Sequence, residues 1–327
     1  MTAQRSNDLL MRPTRARKGL RAAALLAALS WCLLCAAPSP AQDAVAKRTL
    51  TILLGETPVR VNVYEKEGGR VTFFAPHHNE RPAAEAAREI VARKGGRLVE
   101  VVSSDEGGRP ARRLRFALRG KTYGVDPNRV FTENGRRCDG VPPEAEPAVR
   151  GFAGALLEII FAAGGGRLRE GESFVVAVHT NADSDEKSGP GRASDLTAAA
   201  FVRAGAARAG SHGAFQEQAA GVYLSNREAD VDNFVFLSTP RLMWPFAERG
   251  FNVVVQKPAG ELQDERCSVD DGSLSVYSAL RGIPYVCLEA DARSGGLRQR
   301  EMLEVVYGLL PQSAAGELSD AAAGSLR

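Results

Sequence analysis

The sequence predicts an α/β fold, on three observations. Strand-like apolar runs alternate with amphipathic helical stretches along the chain. Phe174–Val178 (FVVAV) is apolar at every position, as in a strand covered on both faces. No repeat of 20–50 residues and no long linker interrupts the alternation, so a single domain over residues 42–310 fits better than two.

The elements follow in order. Thr49–Leu54 and Val59–Tyr64 read as an initial hairpin, and Arg70–Ala75 (RVTFFA) as a strand. Pro82–Lys94 is a helix with proline in its first turn, where a missing N–H costs nothing. Arg97–Val102 returns as a strand, and Leu114–Leu118 with Lys121–Gly124 make a second hairpin around Arg119-Gly120. Pro147–Ala163 places Phe152, Leu156, Ile159 and Ile160 at helical spacing. After the Phe174–Val178 strand, Asn181–Asp195 is rich in charge, Gly and Pro and reads as an exposed loop. Strand Asn233–Leu237, a helix around Arg241–Arg249, strands Asn252–Gln256 and Tyr285–Leu288, and helix Arg298–Leu310 complete the pattern. The Ala/Gly/Ser-rich tail over 311–327 reads as frayed.

The 327 residues carry 42 Lys+Arg against 39 Asp+Glu, a formal charge of +3 that leaves nucleic acid or an anionic membrane open as partners. Its location closes that question. Arg12, Arg15, Arg17, Lys18 and Arg21 precede a 16-residue apolar run, Ala22–Ala37, and small residues at Ser39-Pro40-Ala41. That is the layout of a secretory signal peptide over residues 1–41, the apolar run being short for a membrane span. This segment holds six basic residues and one acidic residue, so the remainder has 36 against 38. The sequence therefore predicts an exported, periplasmic or secreted protein with no stable membrane anchor after cleavage and no nucleic-acid partner.

Cys32 and Cys35 leave with the leader, and Cys138, Cys267 and Cys287 remain. One disulfide plus a free thiol is compatible with an oxidising compartment, and spacing does not choose the pair. Cys287, in the apolar run PYVCLE, reads as a small buried hydrophobe.

Only four histidines occur: His77, His78, His179 and His212. His77 and Glu80 stand three apart between a strand and a helix, so both can face one ion on a single turn. An isolated HxxE is more often a polar loop cap. His179 closes the buried strand, which is where α/β sheets place ligands. Together, His77, Glu80 and His179 would give two imidazoles and a carboxylate with an open position, the format of a catalytic zinc site. Asp126-Pro127-Asn128-Arg129 reads as a turn whose Arg129 offers a fork for a carboxylate, with Asn128 beside it. Glu289 ends an apolar strand, where a carboxylate must be paired, exposed or functional. His78 and His212 read as solvent-facing or locally hydrogen-bonded.

The order HxxE, Asp-x-Asn-Arg-x-Phe, a strand-ending His and a strand-borne Glu resembles the zinc carboxypeptidase superfamily, which includes metallocarboxypeptidases and the succinylglutamate desuccinylase/aspartoacylase branch. Asp271-Gly272-Ser273-Leu274-Ser275-Val276-Tyr277 is similar to the segment that precedes the family's general base. The resemblance spans Arg70 to about Met302. It implies a mixed, mostly parallel central sheet with helices on both faces and one zinc ion per chain. It further implies His77, Glu80 and His179 as metal ligands, Asn128 and Arg129 as receivers of a substrate carboxylate, and Glu289 as the base. Tyr277 and Tyr223 are candidates for the family's substrate-binding tyrosine, and Arg112, Arg113 and Arg115 for its further arginine.

The expected activity is hydrolysis of an amide or peptide bond in a carboxylate-bearing substrate: a peptide, a cell-wall peptide or an N-acyl amino acid. Two other readings are an N-acetylmuramoyl-alanine amidase and a non-catalytic binding protein that keeps the fold. The first is disfavoured because His77 lacks Gly-rich surroundings, and the second because a binder has no need of Glu289.

Overall fold

Alternation of side chains builds the first hairpin. β1 (Ala46–Leu54) and β2 (Thr57–Lys66) pair antiparallel along their whole length, with Leu54, Val59, Val61 and Val63 turned inward. The two-residue turn puts Gly55 at φ 60°, and a Cβ there would meet the Ala117 carbonyl oxygen at 2.5 Å, so glycine is required twice over.

The computed structural model describes residues 45–162, 174–181, 218–227, 230, 232–294 and 296–309. The expected leader, Cys32, Cys35, the loop beyond Asn181, His212 and the C-terminal tail lie outside them.

β3 (Val71–Ala75) is buried at every residue and leads into α1 (Arg81–Lys94). Four buried alanines on α1 (Ala83, Ala84, Ala86 and Ala87) let its backbone lie close against the sheet. β4 (Gly96–Val102) follows, then β5 (Leu114–Leu118) and β6 (Lys121–Val125) as a separate two-stranded sheet. α2 (Glu133–Cys138) and α3 (Glu146–Phe161) precede β7 (Phe174–Asn181). β8 (Ala219–Tyr223), β9 (Phe234–Leu237), α4 (Met243–Glu248), β10 (Asn252–Gln256) and α5 (Ala259–Leu262) come next. α6 (Leu274–Leu280), β11 (Tyr285–Asp291) and α7 (Leu297–Gly308) finish the described chain.

The large sheet is mixed, in the order β1-β2-β4-β3-β7-β11-β9-β10-β8. Its central strands β4, β3, β7 and β11 run parallel, flanked by antiparallel pairs. Helices cover both faces. Phe73, Val176, Val178, Val286 and Leu288 pack under α1, α4 and α7, whereas Phe74, Val175, Ala177, Tyr285 and Cys287 pack with α3 and Phe131. Because neighbours on a strand point to opposite faces, His179 continues the Val175–Ala177 row, and Glu289 continues the Tyr285–Cys287 row.

Two strands run further than the sequence suggests. Parallel pairing continues through Glu289↔His179 to Asp291↔Asn181, so both residues lie inside strands rather than closing them. The helix near Arg241 is a 3-10 turn, Pro240–Leu242, followed by α4. β8 and α6 carried no clear signal. AAGVY has weak strand propensity and is held by pairing with β10, while α6 is started by Ser273, whose side chain accepts the Val276 N–H. Among the described residues no helix is long and apolar enough to cross a membrane.

Cys138 and Cys267 form a disulfide and Cys287 is a buried free thiol. The bridge joins residues 129 apart in sequence, a loop long enough for cross-linking to restrict the unfolded chain strongly. Replacing both cysteines by serine is expected to lower stability by about 2–5 kcal/mol, read from denaturant melts monitored by circular dichroism. An unchanged midpoint would mean that the packing of Gly135 against Gly272 holds these segments unaided.

Candidate metal centre

The parallel strands β3, β7 and β11 bring site residues to one end of the sheet. β3 ends at Ala75, and the following turn is closed by Glu80 N–H donating to the His77 carbonyl at 3.1 Å. That turn brings the His77 and Glu80 side chains together, with Nδ1 of His77 2.8 Å from Oε1 of Glu80. β7 contributes His179, whose Nδ1 lies 3.0 Å from the other oxygen, Oε2. The backbone of Thr180 also donates to Oε2 at 3.2 Å, and its hydroxyl accepts the Ala83 N–H at 3.2 Å, fixing the start of α1 against β7. His77, Glu80 and His179 are all buried, and their ligand atoms lie within 4.8 Å of one another.

A second layer orients this triad. Nε2 of His77 meets Asp126 Oδ1 at 2.9 Å, so its Nδ1 is the atom turned to Glu80. Asp126 is itself built by the predicted turn: Arg129 N–H donates to the Asp126 carbonyl at 2.9 Å, and Asn128 N–H to its Oδ1 at 2.8 Å. Arg112 bridges the layers, donating from Nη1 to Glu80 Oε1 at 2.9 Å and from Nε to Asp126 Oδ2 at 3.1 Å. Of the three candidate arginines, it is therefore Arg112 that reaches the cluster. Arg113 pairs with Asp139, and Arg115 with Glu106 at the surface.

These charges hold one another. Burial pushes Glu80 up, but His77 and His179 outweigh it and keep the carboxyl well below the ordinary range. Burial likewise opposes Asp126, and His77 with Arg112 hold it well below its usual value. His77 is raised: burial and Arg112 push it down, and the Glu80 and Asp126 carboxylates prevail.

Glu289 sits beside His179 through the β11–β7 register. Burial raises its pKa, with His179 acting against the shift and Glu80 adding to it. The Cys287 thiol donates to Glu289 Oε1 at 3.5 Å. His179, Cys287 and Glu289 form a second set within ligand reach. Burial and the charge of Glu289 push the Cys287 thiol well up, which disfavours the thiolate that a metal needs.

The donor set fits a divalent cation. Glu80, Asp126 and Glu289 are three buried carboxylates gathered around the part-exposed guanidinium of Arg112, a grouping whose negative charge a divalent cation would offset. Two imidazole nitrogens and a carboxylate, one imidazole tied to an outer carboxylate, suit zinc and its neighbours.

The remaining candidates are placed differently. Asn128 is buried, and its Oδ1 accepts the Leu274 N–H at 3.2 Å, anchoring α6. Arg129 is mostly buried, with its Nη1 2.9 Å from Asp271 Oδ2. Tyr277 packs against Phe131 at 6.3 Å between ring centroids and lies under the Arg281 guanidinium. Tyr223 is on the edge strand β8. His78 donates from Nδ1 to the Ser103 carbonyl at 2.6 Å, the local role expected of it. Sequence reasoning quoted both Asp126 and Asp271 within motifs but passed over Asp126 as a partner of His77 and Asp271 as a partner of Arg129. Asp126 stood in the quoted motif, but its pairing across 49 residues had no local signal.

No family model matches the sequence, and no curated protein matches it. Among solved structures, the chain is similar to a candidate metallopeptidase from Shewanella amazonensis SB2B, with 13% identity, 90% of this chain and 94% of that chain covered, and a TM-score of 0.35. It is also similar to an aspartoacylase family protein from Mesorhizobium loti, with 14% identity, 83% and 69% covered, and a TM-score of 0.37. A metallo-carboxypeptidase from Burkholderia cenocepacia gives 12% identity, 89% and 68% covered, and a TM-score of 0.36.

Asp126→Asn keeps an acceptor for the Asn128 N–H but removes the charge behind His77. It is expected to weaken divalent-metal affinity about 10–100-fold, read by competition with a chelator. Unchanged affinity would show that His77 is oriented without Asp126.

Proposed function

We propose that this chain is an exported metal-dependent hydrolase, with one zinc ion held by His77, Glu80 and His179, that cleaves an amide or peptide bond. The observation that carries this reading is the meeting of two imidazole Nδ1 atoms on the two oxygens of one buried carboxylate, with a second buried carboxylate, Glu289, beside it. Exchange of the buried ionic network for simple packing would stabilise the fold at least as well, so its cost argues for chemistry.

When bound, such a metal supplies Lewis acidity and lowers the pKa of water. The residues do the rest. Asp126 fixes the His77 ring, and Arg112 fixes Asp126 and the Glu80 carboxylate, so these groups are oriented before reaction. Glu289, raised by burial, is suited to take a proton from water at Oε1 or Oε2 and pass it to the leaving nitrogen. The Cys287 thiol holds Oε1 and so orients the group. Peptides, cell-wall peptides and N-acyl amino acids are the substrate classes that fit amide cleavage outside the cytoplasm. The basic-then-apolar leader supports export, and so does the Cys138–Cys267 bridge, since disulfides persist in oxidising compartments. Reception of a substrate carboxylate by Asn128 and Arg129, which the motif implies, meets an obstacle in Asp271, which already holds that guanidinium.

Purified protein is expected to hold about one zinc per chain. Against a panel of peptides and muropeptides, Glu289→Gln should retain the metal and lose about 10²–10⁴-fold in kcat, whereas His77→Ala should lose the metal. Full turnover by Glu289→Gln would refute its assignment as the base, and zinc far below one per chain would refute the hydrolase.

A further inference from the structure

Where α1 lies across β2 and β4, a groove of about 340 Å3 stays open. Asn62 and Tyr64 on β2 stand opposite Glu100 and Leu98 on β4, and all four line it. Strand alternation turns them to the face that α1 covers, the face opposite the one that carries His179 and Glu289. On the helix side the small Ala84 leaves the room, and His78 lines the groove as well.

Glu100 is held in place there. Its Oε2 accepts from Asn62 Nδ2 at 3.0 Å and from the Tyr64 hydroxyl at 3.5 Å. Asn62 is fixed in turn, its Oδ1 accepting from the Thr49 hydroxyl at 2.9 Å. Side chains from β1, β2 and β4 thus orient one half-buried carboxylate, and both of its neutral donors fall on one oxygen. Its Oε1 has no partner among the described residues, and no cation pairs with it. The Arg81 guanidinium goes to Glu85 at 3.2 Å, while Arg88 and Lys47 stand over the Tyr64 ring, 5.7 and 5.4 Å from its centroid.

An oriented carboxylate without a counter-charge, beside the apolar floor of Tyr64 and Leu98, suits a cation on an apolar stem. The lining charges do not bar one, because Arg81 and Arg88 are matched by Glu85 and Glu100. His78 adds a neutral acceptor: its Nδ1 is committed to the Ser103 carbonyl, which leaves the lone pair of the neutral ring on Nε2. The groove gathers no three groups that could hold a metal ion, whereas an ammonium needs only a pair of acceptors and can give its third proton to water. Arg88 is exposed and on a flexible stem, a poorer anchor for an anion than the braced Glu100 is for a cation. We propose that this groove binds a primary ammonium on an aliphatic stem, the free amino end of an amino acid or short peptide, with Glu100 as its counter-charge. The assignment is independent of the hydrolase reading.

Titration calorimetry of the wild type with leucinamide and N-acetyl-leucinamide, at about pH 7 where the free amine is mostly charged, tests the assignment. Leucinamide should bind about tenfold or more tightly than its acetylated form. Glu100→Gln keeps an acceptor for Asn62 but removes the charge, and should lose about tenfold or more in affinity for leucinamide. Chemical-shift mapping by NMR should place the bound amine at the Leu98 and Glu100 amides, and where Glu100→Gln does not fold this map decides. Binding of neither compound overturns the proposal, as does equal binding of both, full affinity in folded Glu100→Gln, or shifts confined to His179 and Glu289. Tightest binding by N-acetyl-leucine would make Arg88 the recognising group and overturn it too. Leucyl-alanine amide separates the two sources while upholding the ammonium: binding tighter than leucinamide assigns a peptide's amino end, and equal or weaker binding assigns a free amino acid.

Discussion

Glu80 is a carboxylate sealed inside the protein, and keeping it ionised is the constraint that the site obeys. Its two oxygens are shared among His77, His179, Arg112 and the Thr180 N–H. A buried charge is tolerable only when paired and hydrogen-bonded, so each partner must arrive at a fixed place. The parallel run β4-β3-β7-β11 meets that demand. It sets the carboxyl ends of β3, β7 and β11 side by side, and the strand registers put His179 opposite Glu289. The sheet's alternation then turns both toward the face shared with Phe131 and α3.

The same ionic logic extends outward in a chain. Asp126 holds His77, and its own N–H is held by Asp139, which Arg113 grips with two donors. Asn128 and Arg129, on the same turn, tie to Leu274 and Asp271. The Cys138–Cys267 bridge and the glycine contact Gly135–Gly272 join the two segments that carry these residues. Rigidity at a distance from the metal ligands therefore serves orientation at them.

Much of this was legible because it is local. Alternating apolar residues gave the strands, proline in the first turn gave α1, and the spacing of His77 and Glu80 put both on one turn. The four-residue turn at Asp126 was likewise readable from Asp-Pro-Asn. What the sequence hid is long-range. Nothing near Arg112 distinguishes it from Arg113 and Arg115; only the fold sends it between Glu80 and Asp126. β8 exists because β10 offers a pairing edge, not because AAGVY favours a strand. The pairing of Arg129 with Asp271 likewise joins segments far apart in the sequence, and nothing local to either residue announces it.

The central claim is that the metal is held by two imidazoles and a carboxylate, not by the neighbouring set that contains the Cys287 thiol. X-ray absorption at the zinc edge of the loaded protein tests it most directly. The account predicts a first shell of nitrogen and oxygen at about 2.0–2.2 Å with imidazole outer-shell scattering. A sulfur shell at about 2.3 Å would place the metal on Cys287 and contradict it.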